Sequence, residues 1–79
     1  FYVRAAYVQA AEVFLEGFQA DPKGPKAPDS LLKLGMSLGG LDKKREACAA
    51  FDKLLKDFPD APAGVKNAVT REKQKNGCS

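Results

Sequence analysis

Apolar residues recur at intervals of three and four along most of this chain, which is the period of a helix with one buried face. Between Pro28 and Pro59 the pattern is clearest: Leu31, Leu34, Gly35 and Leu38 form one stripe and Ala47, Phe51, Leu54 and Leu55 a second. The two stripes predict a helical hairpin hinged at Gly39-Gly40, and Pro59 ends its second helix. An earlier stripe of Phe1, Tyr7, Ala10, Ala11, Phe14, Leu15 and Phe18 faces away from Gln9, Glu12, Glu16 and Gln19. A last helix follows Asp60, with Val65, Ala68 and Val69 inward and Lys66, Asn67, Arg71, Glu72, Lys73 and Lys75 outward, and it stops at Asn76-Gly77. The expected architecture is all-α: residues 1–20 helical, 21–27 a connector, 28–61 a complete hairpin and 62–77 a capping helix.

The chain also repeats itself. Displaced by 37 positions, Ala10 falls on Ala47, Phe14 on Phe51, Pro22 on Pro59 and Pro25 on Pro62. Leu31, Leu34-Gly35, Leu38, Ala47, Phe51 and Pro59 fill, in order, the slots of the tetratricopeptide (TPR) pattern, which the hairpin therefore resembles. In that register residues 1–20 are the remnant of a preceding repeat whose first helix is missing. Arg4-Ala5-Ala6 is then an inter-helix turn, although alanine favours helix and a continuous helix competes with it. The uncovered stripe of Tyr7, Phe14 and Phe18 is expected to promote self-association.

Local signals refine the helix ends. Pro28 suits a first helical turn because its absent N–H would have had no partner there, and Asp29 opposes the positive end of the helix dipole. Asp42 and Asp60 stand where side-chain caps for the next helices belong. Gly35 in mid-helix costs about 1 kcal/mol relative to alanine, so it is expected to allow close approach of the partner helix at Ala47. Lys43, Lys44 and Arg45 crowd a helix N-terminus, as an exposed turn or as a patch for an acidic partner.

Composition narrows the function. Seventy-nine residues make one small domain, near the size at which a single core barely suffices. The net charge of +3 is spread along the chain, a weak basis for binding nucleic acid. No run of apolar residues reaches the roughly 18 needed to span a membrane. The sequence has no His, and its two cysteines cannot build a four-ligand zinc site, so no metal, cofactor or catalytic residue is expected. Cys48 and Cys78 can meet if the last helix runs back along the second helix of the hairpin. Two free thiols fit the sequence equally well.

The stretch KAPDSLLKLGMSLGGLDKKREACAAFDKLLKDFPDAP, residues 26–62, together with the basic last helix ending in Cys, resembles the C-terminal TPR region of the alphaproteobacterial Tol-Pal system, or cell division coordinator CpoB, family. The Arg4-Ala5-Ala6 and Gly39-Gly40-Leu41 turns depart from it. The resemblance implies a non-enzymatic periplasmic adaptor with a TolA-like envelope protein as partner, acting between peptidoglycan synthesis and outer-membrane constriction in cell division. It also implies an N-terminal coiled coil elsewhere in the protein. The oxidising periplasm favours a Cys48–Cys78 disulfide. An alternative is a TPR adaptor or co-chaperone that clamps a peptide or a C-terminal carboxylate, for which Lys33 and Asn67 supply part of the donor set. In such arrays the first helix of each pair lines the concave face, which nominates Asp29, Leu32, Lys33 and Met36, with Lys66, Asn67 and Thr70 from the last helix, as the partner-binding surface.

Overall fold

The computed structural model describes residues 2–78, and side chains from residue 4 onward; Phe1, expected in the first apolar stripe, lies outside the described residues. Four helices follow one another: α1 (Tyr2–Ala20), α2 (Ala27–Gly40), α3 (Lys44–Asp57) and α4 (Ala63–Lys75). α1 is unbroken through Arg4-Ala5-Ala6, as the helix preference of alanine dictates, so no inter-helix turn forms there. α2 is the hub: α1, α3 and α4 all pack on it, α4 also touches α3, and among the described residues α1 packs on no helix backbone but that of α2. This is the all-α, TPR-like arrangement of one complete hairpin, α2–α3, with a helix on either side.

The core grows from the hairpin. Leu31, Leu34, Ala47, Phe51 and Leu54 are buried, and Leu38 packs against them half-covered. Gly35 admits the edge of the Phe51 ring, which stands where a Cβ on Gly35 would have to be. The neighbour expected at this crossing was Ala47; the aromatic ring takes the place instead, because a planar edge fills the hollow over a glycine more completely than a methyl group. Val69 is fully buried and anchors α4. Phe14 and Phe18 rest half-covered against the α2–α3 core, whereas Tyr7, the third residue of the stripe expected to lie bare, stays exposed; among the described residues the large exposed apolar side chains of α1 are Tyr7, Val8, Val13 and Leu15.

Two helix ends differ from expectation, and one physical reason accounts for both aspects of the α2–α3 turn. α2 continues through Gly39 and Gly40, and the reversal comes at Asp42, which adopts the left-handed conformation with φ 63°. The Asp42 N–H donates to the Gly39 carbonyl at 3.0 Å and the Lys43 N–H to the Leu38 carbonyl at 2.9 Å, the paired bonds of a Schellman end. With its backbone committed to closing α2, Asp42 does not cap α3; Lys43 stands at that position with no side-chain cap. α4 starts at Ala63 behind Pro62, also without a side-chain cap, so Asp60 does not serve either. Its C-terminal end follows expectation: Gly77, at φ 70°, closes a second Schellman turn in which the Cys78 N–H donates to the Lys73 carbonyl at 2.8 Å. That turn points Cys78 back at α3, where it forms a disulfide with Cys48 across a Cα–Cα distance of 5.7 Å.

Candidate functional site

Three helices around a shared hub leave a groove where two of them diverge. α1 and α4 lie against different sides of α2, and the space between them is a cavity of about 340 Å³. Its apolar surface comes from Tyr7, Ala10 and Phe14 on α1, one helical turn apart each, and from Met36 on α2. Lys33, Glu72 and Lys75 supply charge, and Ser37 and Asn76 supply polar surface. Met36 is 44% exposed, an unbranched thioether free to repack against an incoming side chain.

The Gly39-Gly40 pair shapes one end of this groove. A Cβ on Gly40 would come within 2.6 Å of the Tyr7 ring, and one on Gly39 within 2.7 Å of the Asn76 Oδ1. The two glycines therefore act as the seats that let α1 and the end of α4 approach α2, and not as a hinge. Asn76 is buried there, with its Nδ2 donating to the Glu72 carbonyl at 2.8 Å. Across the groove the Lys33 ammonium lies 5.7 Å from the centre of the Phe14 ring and 3.3 Å from the Asp29 carboxylate. Both Lys33 and Asp29 side chains are half-exposed, so solvent screens this pair and leaves the ammonium open to exchange partners.

Of the residues nominated from sequence, Lys33 and Met36 line the groove. Asp29 is exposed beside it and reaches it only through its pairing with Lys33. Leu32 is a correction: it is 8% exposed and belongs to the core cluster with Ala61 and Val69, because α2 has neighbours on three sides and keeps only a narrow free strip. Lys66, Asn67 and Thr70 do not line the groove; the wall from α4 is built one to two turns later, by Glu72, Lys75 and Asn76. Of the pair expected to supply part of a carboxylate clamp, Lys33 therefore lines this groove and Asn67 does not. The contribution of α1 was missed, although the spacing of Tyr7, Ala10 and Phe14 signals one shared face. Among the described residues no cluster of acidic groups and cysteines could hold a metal ion.

The tetratricopeptide repeat family matches residues 29–61, from the first turn of α2 through the Asp42 turn and α3 to Ala61, a little under half of the chain. No curated protein and no solved structure matches the chain. Repeats of this family serve as protein–protein interaction modules.

Proposed function

We propose that the chain binds a segment of a partner protein in the groove between α1, α2 and α4, as part of a non-enzymatic adaptor of the periplasmic Tol-Pal cell-division type. One observation carries the binding reading: the free strip of α2 presents Lys33 and Met36 into a cavity with an apolar wall from α1 and a polar wall from α4. A side chain of the partner enters against Tyr7, Phe14 and Met36, while Lys33, Glu72 and Lys75 pair with polar groups at the rim. The periplasmic address rests on the resemblance of residues 26–62. The Cys48–Cys78 disulfide is consistent with an oxidising compartment. A TolA-like envelope protein is the partner class the resemblance supplies.

The test is a titration of the oxidised chain with a TolA-type periplasmic domain. Lys33→Glu combined with Met36→Ala should weaken binding about tenfold or more while circular dichroism stays unchanged, since both side chains are on the free face of α2. Binding that survives the double substitution removes the groove from the mechanism. Failure of the wild-type chain to bind that domain removes the Tol-Pal assignment.

A further inference from the structure

A second cleft shares no residue with the groove. It lies where the C-terminal ends of α1 and α3 approach the connector after α1, and encloses about 740 Å³. Its apolar surface is Phe18, Pro22 and Phe58, with both rings only half-buried. Around them stand Lys23, Lys53 and Lys56, and a single carboxylate, Asp57. Asp57 is already engaged: the Lys53 ammonium donates to it at 2.9 Å. Lys23 and Lys56 have no carboxylate within ion-pair distance among the described residues and are exposed. The cleft thus sets two uncompensated cations, one from the connector and one from α3, beside an aromatic floor.

The arrangement discriminates among anions. The Lys53 ammonium lies 5.9 Å from the centre of the Phe18 ring, so one face of that ring is occupied by a cation. A nucleic-acid base, which stacks on an open aromatic face, meets a competing ammonium on that face of Phe18. An aromatic side chain can instead meet the Phe18 and Phe58 rings edge-to-face, a geometry aromatic pairs favour. Carboxylates on either side of that side chain then reach Lys23 and Lys56. We propose that this cleft is a second docking site, for an acidic peptide segment in which an aromatic residue is flanked by Asp or Glu.

The probe is an acetylated and amidated pentapeptide, Glu-Asp-Phe-Asp-Glu, titrated into the isotope-labelled, oxidised chain and followed by amide chemical shifts. Saturable shifts are expected at Phe18, Lys56 and Phe58. Replacing the central Phe of the peptide by Ala should weaken binding at least tenfold, as should Lys23→Glu with Lys56→Glu in the protein. Lys43→Glu with Lys44→Glu makes the same change of charge on another exposed surface, and Met36→Ala alters only the groove; either should leave the affinity within twofold. The proposal is overturned by the absence of saturable shifts, by equal binding of the Ala peptide, or by equal weakening from both lysine pairs. It is also overturned if single-stranded DNA binds more tightly to the same residues, or if the cleft is occupied by a second copy of the chain, seen as self-association that Lys23→Glu with Lys56→Glu abolishes.

Discussion

At the scale of single residues, the glycines and one aspartate carry the most information. Gly35 exists for the Phe51 ring, and any side chain there must displace the most central aromatic of the core. Gly35→Leu should therefore leave the chain unfolded or lower its melting temperature by many degrees, because overpacking a core typically costs 1–3 kcal/mol or more and a domain this small has little in reserve. An unchanged thermal unfolding curve would refute that account. Asp42 points the other way. It holds a left-handed conformation that glycine adopts freely, so Asp42→Gly should stabilise the chain by about 0.5–1 kcal/mol, less the weak 3.8 Å pairing with Lys44. A rise of a few degrees in melting temperature is expected, and a fall would show that the Asp42 side chain matters more than its backbone. Sequence made Gly35 legible, because a mid-helix glycine demands a reason. Asp42 was not, since the Gly-Gly pair two residues earlier is the stronger turn signal and tertiary contacts with Tyr7 and Asn76 had already claimed it.

At the scale of elements, the hairpin was legible from its periodicity and the ends of its neighbours were less so. α2 and α3 each bury a stripe that repeats every three to four residues, and such a stripe can be read without knowing the partner. The walls of the groove depend on how α1 and α4 dock, a long-range property with no local spacing; periodicity alone therefore does not tell that Leu32 is buried or that α4 meets the groove at Glu72, Lys75 and Asn76. α4 itself is the weakly held element. Val69 is its only fully buried side chain and its exposed surface is polar; the Lys73–Asp52 pair at 2.7 Å is largely solvent-exposed on the aspartate side. The disulfide therefore contributes much of its attachment. Its closure of a loop with a sequence separation of 30 is worth about 3–4 kcal/mol in the chain-entropy description. Reduction by a dithiol, or Cys48→Ser with Cys78→Ser, should lower stability by about that amount and speed amide exchange in residues 72–78 before it does so in α2 and α3. Uniform exchange across all four helices would show that α4 does not open separately.

For the whole molecule, the four helices form a short stack with the α1–α2–α4 groove along one surface and the basic aromatic cleft at one end. Because the groove and the cleft share no residue, the variants at Lys33 and Met36 and those at Lys23 and Lys56 test separate properties of the same fold. The disulfide adds a mechanical property to this stack. Tension applied beyond Cys78 and at α1 passes from Cys78 through the sulfur bridge straight to Cys48, so α4 and most of α3 lie outside the loaded path. In the oxidised chain only the segment ahead of Cys48 can lengthen under load. Cutting the bridge adds the bypassed segment, about 100 Å of contour at 3.3–3.6 Å per residue. A chain anchored between two cell structures would thus have two possible reaches, a short one when oxidised and a long one when reduced.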